Sequence, residues 1–192
     1  MRRYFIFILS ALVFSCVATS ASAATRTLHG WAWSDNIGWV SMNCESGGPT
    51  GNNICGTSNY AVSYDTVTKM FNGYAWSDSI GWIRFNPSGT PSYPGAPAQS
   101  AAYDPTVSSS ITGWIRACAG TTNGDCTGSD RSDGWEGWIK MSNTLAPAYA
   151  VTVNSSTYDL EGYAWGSEVI GWLSFNCLTG GPTANNICAT SN

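Results

Sequence analysis

One motif, repeated along the chain, constrains the fold more than any other feature. It reads GYAWSDSIGWIRFN at residues 73–86, GWAWSDNIGWVSMN at residues 30–43 and GYAWGSEVIGWLSFN at residues 162–176. A further copy is split: GWIRA at residues 113–117 resumes as GWIKM at residues 137–141. The copies recur with a period of about 45 residues, which is typical of proteins built from repeated units that bury their faces against one another.

Each unit carries the hydrophobic pattern of three short β-strands. In the second unit the strands cover residues 60–64, 71–76 and 82–85, and a polar turn occupies residues 77–81. Short strands separated by Gly, Ser, Asn and Asp are typical of an antiparallel meander. No segment has the pattern of a helix, so the sequence predicts an all-β fold.

Alternation along the hairpin assigns its side chains to two faces. Ile83 and Phe85 lie on one face of the third strand, whereas Trp82 lies on the other. A turn with an odd number of residues sets Trp76 opposite Trp82, and it sets Ala75 against the aliphatic residues. One face of every hairpin is therefore aliphatic, and the other is aromatic.

A sheet that is apolar on both faces requires neighbours on both sides. We therefore predict tandem repeats of three-stranded antiparallel meanders, about 45 residues each, in a propeller-like or stacked open array with disulfide-closed loops. The single array covers residues 24–192, and its repeats cover residues 28–59, 60–100, 101–148 and 149–192.

Residues 1–23 have the features of a secretory signal peptide. Two arginines precede an apolar run at residues 4–18, and the small residues at 21–23 provide a cleavage site after Ala23. The alternative is a lipoprotein in which Cys16 carries the lipid, although Phe14 fits that signal poorly. No other stretch is apolar enough to span a bilayer. The sequence therefore predicts a protein that is secreted or held at the cell surface.

The charge of the chain bears on its partners. Both arginines of the leader are lost on cleavage, which leaves six of the eight basic residues against twelve acidic ones. Nucleic acids and anionic membranes attract Lys and Arg, so neither is an expected partner.

Six of the seven cysteines follow the leader, and they predict three local disulfides. The first and last loops read NCESGGPTGNNICGTSN and NCLTGGPTANNICATSN, and duplication of one closed loop favours local pairing. Zinc is the alternative, but an exported chain with His29 as its only histidine and no CxxC spacing disfavours it. No cofactor and no metal are therefore expected. The predicted pairs are Cys44 with Cys55, Cys118 with Cys126 and Cys177 with Cys188.

Acidic and hydroxyl side chains supply the remaining candidates for a metal site. Ser34 and Asp35 recur in the second copy and are typical of side chains that cap their own turn, although they could instead ligate a cation. The split copy contains an insertion at residues 118–136 with four carboxylates that suggest calcium, but their spacing matches no known ligand frame. Solvated loop acids are the simpler interpretation. The four are Asp125, Asp130, Asp133 and Glu136.

The motif resembles a family of tandem Trp-rich repeats of the form W/Y-A-W-S-D/E-x-I-G-W-I-x-F-N, found in secreted proteins of small uncultivated bacteria. The resemblance covers nearly the whole chain after the leader, including the GWIRACAG and DGWEGWIKM variant within residues 113–141. It implies export and repetition, and it implies no catalytic residue or ligand. The last copy departs from the pattern at residues 166–169, where it is one residue longer, so its turn is expected to differ.

The expected function is non-enzymatic. His29 has no repeated acid or serine context, and repeated residues are more suited to a scaffold than to one active site. We therefore expect a secreted structural or adhesive repeat module with a protein or surface glycan as partner. One alternative is a hydrolase that uses Asp133 and Glu136. Another is a carbohydrate-binding protein whose aromatic rings stack on sugars, and the candidate rings are Trp39, Trp82, Trp138 and Trp172.

The two ends of the repeat pattern do not match. Residues 60–64 form the strand that follows the first cysteine loop, but no such strand follows the last cysteine loop or precedes the motif at residues 30–43. The sequence therefore predicts either a cut from a longer array or terminal repeats that self-associate with another copy.

Overall fold

The computed structural model describes residues 24–46, 52–87 and 92–177, and every structural statement refers to these residues. The predicted signal peptide at residues 1–23 lies outside them, as does Cys188. Within them no helix is long and apolar enough to cross a membrane.

The described part of the chain is all-β, as predicted. Its strands are β1 (Thr25–Thr27), β2 (Trp31–Ser34), β3 (Gly38–Ser41), β4 (Val62–Asp65), β5 (Phe71–Ser77), β6 (Gly81–Arg84), β7 (Trp114–Ala117), β8 (Trp138–Lys140), β9 (Ser142–Asn143), β10 (Tyr149–Val153), β11 (Leu160–Trp165) and β12 (Trp172–Ser174). Short 3₁₀ turns cover Cys44–Ser46 and Cys118–Gly120, and one helical turn, α1, covers Ser167–Ile170.

Eight strands form a closed antiparallel barrel. Each copy of the motif folds into one hairpin, and we call β2–β3, β5–β6, β7–β8 and β11–β12 the first, second, third and fourth hairpins. Neighbouring hairpins pair through β3–β5, β6–β7 and β8–β11, and the pairing of β12 with β2 closes the ring. The predicted propeller-like or open stacked arrangement is therefore wrong. The hairpins join edge to edge, and a sheet that curls on itself buries one face without a second layer.

The aliphatic faces of the hairpins fill the inside of the barrel. Small and large residues face each other across the first, second and fourth hairpins, as in the pairs Ala32 with Val40 and Ala75 with Ile83. These four side chains are buried and belong to one core cluster. Eight strands enclose a space that side chains alone can fill, so this interior is a packed core. The predicted register, including Trp76 opposite Trp82, is confirmed.

Three segments, which we call the connecting segments, lead from one hairpin to the next. They are residues 60–64, 100–103 and 149–153. Each one pairs with the hairpin that follows it, and their buried residues Val62, Ala101 and Val151 complete the core.

The glycine that opens the motif allows a connecting segment to cross the hairpin at close range. Gly73 has φ +89°, and a Cβ at this position would collide with the carbonyl oxygen of Ala61 in the connecting segment. Gly162 has φ +85°, and a Cβ there would collide with the carbonyl oxygen of Ala150. Glycine is therefore required on two counts, its positive φ and the close approach of another backbone.

Two of the three predicted disulfides are present. Cys44 bonds to Cys55, and Cys118 bonds to Cys126, so both pairings are local as predicted. The third pair involves Cys188, which lies outside the described residues, so that pairing stays a prediction.

The expectation of no helix is wrong at one point. The extra residue in the fourth copy of the motif is accommodated by the helical turn Ser167–Ile170, which replaces the tight turn of the other copies.

Candidate functional site

The outer face of the barrel carries an aromatic cluster on the first, second and fourth hairpins. Each cluster has a central tryptophan from the hairpin's second strand, and this ring meets its cross-strand partner at a steep angle. The central rings Trp39, Trp82 and Trp172 lie 4.8, 4.7 and 4.9 Å, centroid to centroid, from Trp33, Trp76 and Trp165. Tilted and edge-to-face pairs at this separation are the favoured geometry for aromatic rings.

In the first and second hairpins, turn aspartates hold the cross-strand partner rings in place. The Asp35 carboxylate accepts a 3.0 Å hydrogen bond from Trp33 Nε1, and Asp78 accepts one of 2.8 Å from Trp76 Nε1. The Ser34 hydroxyl accepts the backbone N–H of Asn36, as a turn cap does. The capping interpretation therefore holds for the serine, whereas the aspartates orient the indoles.

Tyrosines from two connecting segments extend the clusters. Tyr60 lies 5.2 Å from the ring of Trp82, and Tyr149 lies 4.9 Å from the ring of Trp172. The Tyr60 hydroxyl also donates a 3.0 Å hydrogen bond to Ser41. Burial raises the pKa of Tyr60 and of Tyr149, so both rings remain neutral at physiological pH.

The third hairpin has its outer face covered. Trp138 is only 6% exposed, because Tyr93 packs 5.3 Å from its ring and the Arg116 guanidinium lies 4.5 Å from it. Trp114 donates its indole N–H to the carbonyl of Gly95 at 3.0 Å. Tyr93 and Gly95, in the segment before the third hairpin, and Arg116 of β7 therefore cover the outer face of this hairpin.

The four tryptophans proposed to stack on sugars differ in exposure. Trp39 is 39% exposed and Trp172 is 42% exposed, whereas Trp82 is partly buried and Trp138 is buried. Trp39 and Trp172 lie on β3 and β12, which flank β2 on either side. They belong to one surface that spans the first and fourth hairpins.

Arg116 anchors the insertion at residues 118–136, a role that the sequence pattern did not predict. Its side chain is fully buried, forms an ion pair with Asp130 and donates a 2.9 Å hydrogen bond from Nε to the carbonyl of Glu136. A buried guanidinium requires such partners. The available signal was a cation within the apolar strand that precedes an acidic insertion.

The structure does not bring the four insertion carboxylates together as a calcium site. Asp130 pairs with Arg116, and Asp133 pairs with Arg131, which lowers the pKa of Asp133. Hydrogen bonds from Thr127 lower the pKa of Asp125. No group of three or more His, Cys, Asp or Glu side chains that could hold an ion occurs in the described ranges.

His29 lies at the surface beside an acid. Its Nδ1 is 3.2 Å from Glu45 and 3.0 Å from the Asn43 amide, and the side chains of His29 and Glu45 are both more than 60% exposed. This geometry suits a solvated pair on the rim of the barrel and leaves the ring in water.

Two cavities lie beside the aromatic clusters. The larger, about 820 Å³, opens at the junction of the fourth and first hairpins, where Gly30, Trp39 and Phe175 line it. It extends to Tyr64, Tyr103 and Val153 of the connecting segments. The smaller, about 370 Å³, lies on the second hairpin and is lined by residues that include Asn59, Tyr60, Tyr74, Trp82 and Asp125.

Comparison of the chain with protein-family models, curated proteins and solved structures found no match. The geometry of the aromatic surface is therefore the basis for proposing a function.

Proposed function

We propose that this protein is a secreted, non-enzymatic module with a structural or adhesive role outside the cell, and that its aromatic outer surface makes the contacts. The observation that carries the proposal is the exposure of Trp39 and Trp172 on neighbouring hairpins. Large exposed apolar side chains that adjoin one another mark interaction surfaces in soluble proteins. Tryptophan is also among the residues that contribute most to binding energy at interfaces.

Further observations support export and a repeat origin. Disulfides form in oxidising compartments, and the described residues contain two of them in loops that close locally. Four copies of one motif supply the four hairpins, so we include a tandem-repeat organisation in the proposal. Multiple similar surfaces on one module suit adhesion, because weak contacts act together when they are linked.

The pKa of Asp133 disfavours the hydrolase alternative in the form that uses Asp133 as a general acid. A general acid that works near neutral pH requires a raised carboxyl pKa. Asp133 is the opposite case, because its ion pair with Arg131 lowers its pKa.

The test is adhesion by beads coated with the purified chain. Wild type and a Trp39→Ser/Trp172→Ser variant are compared on surfaces coated with extracellular matrix proteins and with cell-wall polysaccharides. We expect wild-type beads to be retained on at least one surface and the double variant to lose most of that retention.

A matched control uses two exposed apolar residues away from the aromatic surface. Val107 and Leu145 are 81% and 75% exposed, so a Val107→Ser/Leu145→Ser variant removes apolar surface without touching a ring cluster. It is expected to adhere like wild type. Equal loss in both variants, or no retention of wild type on any surface, would contradict the proposal.

Carbohydrate binding is the second candidate, and the smaller cavity favours it. Tyr74 and Trp82 form its aromatic wall, with ring centroids 6.0 Å apart, and Asn59 and Asp125 add polar groups. Because its pKa is lowered, Asp125 stays a carboxylate and can accept hydrogen bonds from sugar hydroxyls. Aromatic faces beside such acceptors are suited to sugar rings.

Tryptophan fluorescence during titration with a panel of soluble glycans tests this candidate. A saturable change is expected for wild type and for Trp172→Ala, and it is expected to disappear in Trp82→Ala and in Asp125→Asn. An unchanged spectrum across the panel would count against sugar binding at this cavity while leaving the adhesive proposal intact.

A further inference from the structure

The larger cavity occupies a position that is filled at the other junctions of the barrel. A connecting segment lies between the first and second hairpins, another between the second and third, and another between the third and fourth. Between the fourth hairpin and the first, no described segment takes this position, and the cavity of about 820 Å³ opens there and extends inward to Tyr64, Tyr103 and Val153.

The first hairpin lacks a contact that two other hairpins have. Tyr60 packs on Trp82 and Tyr149 packs on Trp172, each from the segment that enters the hairpin. Trp39 has ring contacts with Trp31 and Trp33 of its own hairpin, and no ring from a connecting segment contacts it among the described residues.

The motif glycines give an independent indication. A Cβ at Gly73, Gly113 or Gly162 would meet the carbonyl oxygen of a connecting segment, because that segment crosses directly over the glycine. Gly30 has the same positive φ, +82°, but no atom lies within 4 Å of a Cβ built there. The backbone of the first hairpin is therefore shaped for a crossing strand that the described residues do not supply.

Two residues that line the cavity occupy the same motif positions as two residues beside the first connecting segment. By position in the motif, Phe175 corresponds to Met42, and Ser174 corresponds to Ser41. Ser174 donates to the carbonyl of Asn176 just as Ser41 donates to the carbonyl of Asn43. Ser174 is therefore placed to meet a tyrosine hydroxyl as Ser41 meets that of Tyr60.

β1, the strand that precedes the first hairpin in the sequence, does not fill the position over Gly30. β1 precedes the first hairpin but pairs with β4, through Thr25 with Asp65 and Thr27 with Ser63. Leu28 continues that pairing, because its N–H bonds to the carbonyl of Val62 at 2.8 Å. β1 therefore does not cross Gly30, and no other segment in the described ranges does so.

We propose that this cavity is an acceptor groove for an extended peptide strand of a partner polypeptide, with a tyrosine, a small residue and a β-branched residue in succession. The tyrosine would pack on Trp39, the carbonyl of the small residue would cross Gly30, and the β-branched side chain would enter the core beside Leu28 and Phe175. Strand addition of this kind combines backbone hydrogen bonds with pockets for alternate side chains.

Two observations limit which kind of partner the groove could bind. A second folded copy cannot donate its connecting segments without unfolding, because Val62 and Val151 are fully buried in their own barrel. Arg26 and Lys69 line the cavity against one carboxylate, Asp159. This balance favours a peptide with an acidic residue after the apolar ones. The inference does not depend on the adhesive role of the outer surface.

The test is fluorescence anisotropy with labelled peptides and the purified chain. The probe is YAVSYD, the sequence of residues 60–65, and its control is YADSYD, which places a carboxylate where the groove requires an apolar side chain. We expect YAVSYD to bind saturably with one site per chain. YADSYD should bind at least about tenfold more weakly, since an unpaired buried charge is costly.

A pair of glycine variants locates the binding on the protein. Gly30→Asn adds a side chain over the groove at a residue type that tolerates positive φ. Gly134→Asn makes the same change at φ +88° in the insertion, where the surroundings are also open. Gly30→Asn is expected to weaken YAVSYD binding at least about tenfold, and Gly134→Asn is expected to leave it unchanged. Near-ultraviolet circular dichroism checks that both variants fold.

Several results would overturn the inference. They are no binding of YAVSYD, equal binding of the two peptides, or unchanged binding by folded Gly30→Asn. If Gly30→Asn does not fold, the comparison of YAVSYD with YADSYD on wild type decides alone. Sedimentation that shows a dimer lost in Gly30→Asn, without peptide binding, would assign the groove to a second copy and refute the proposed partner.

Discussion

At the scale of single residues, some positions of the motif act through the backbone and others through their side chains. Gly73 allows a second backbone to cross, Ser34 caps its turn, and Asp35 holds an indole. Ala75 leaves room in the barrel for Ile83, which faces it. At these four positions the physical reason for the residue type lies in the hairpin or in the segment that crosses it.

Gly73→Ala is predicted to destabilise the protein by about 2 to 4 kcal/mol. The substitution adds a Cβ at φ +89° and drives it into the carbonyl oxygen of Ala61. Gly30→Ala is the matched control, because it has a similar φ but open space, so only the conformational cost applies. Urea unfolding of the two variants checks this, and equal losses of stability would show that the crossing segment exerts no steric constraint.

At the scale of elements, short turns depend on charged side chains. The Asp65 carboxylate accepts the backbone N–H groups of Val67 and Thr68 in the turn after β4. Asp104 accepts the hydroxyl and the N–H of Thr106 in the turn after residues 100–103. These hydrogen bonds favour the charged form and lower the pKa of both carboxyls.

The lowered pKa values of Asp65 and Asp104 determine how the stability of the protein changes with pH. A carboxyl whose pKa is lower in the folded state contributes stability that is present above its unfolded pKa, about 3.9 for Asp, and lost as the pH falls through the folded value. We expect stability to fall on acidification below about pH 4. An Asp65→Asn/Asp104→Asn variant should be less stable at pH 7 and lose less between pH 7 and pH 3. Urea unfolding at the two pH values measures both, and an acid loss equal to that of wild type would refute the assignment.

The cysteine loops are also local elements, because a disulfide closes each loop within its own repeat. We predict that peptide mapping without reduction finds three local bridges and no free thiol in the exported chain, the third joining Cys177 to Cys188. Closing loops of this size stabilises a protein by about 2 to 3 kcal/mol in the chain-entropy account. A bridge between cysteines of different repeats would contradict the prediction.

At the scale of the whole molecule, closure of the barrel depends on the contact between the first and fourth hairpins. One residue pair, Ser174 with Trp33, joins β12 to β2 in register. The turns reinforce it, because Ser34 donates to the carbonyl of Ile170 and Asn36 donates to that of Glu168. The two ends of the chain's repeat pattern thus meet in one ring.

A closed ring predicts a single cooperative unfolding transition. In an open array a mutation destabilises its own repeat and the adjacent ones most. In this barrel Phe85→Ala, at a fully buried position in the core cluster, should cost about 3 to 5 kcal/mol and lower the stability of every hairpin equally. Hydrogen exchange of amides in β5–β6 and in β11–β12 reports this. Faster exchange confined to the second hairpin would contradict a cooperative barrel.

The sequence by itself determined the hairpins and their faces. Alternation placed Ile83 on the aliphatic face and paired Trp76 with Trp82, because strand geometry follows a period of two residues that is readable locally. The disulfide Cys44–Cys55 was predictable for a similar reason, since a duplicated loop closes over a short separation. These features depend on neighbours in the chain.

Only the tertiary structure decided how the hairpins join and which rings face solvent. Pairing of β12 with β2 unites hairpins at opposite ends of the chain, and nothing in the motif distinguishes that edge pairing from face-to-face stacking. Trp138 and Trp39 occupy the same place in their copies, yet loops cover one and leave the other exposed. Burial of a ring depends on segments distant in sequence, so a repeated motif cannot encode it locally.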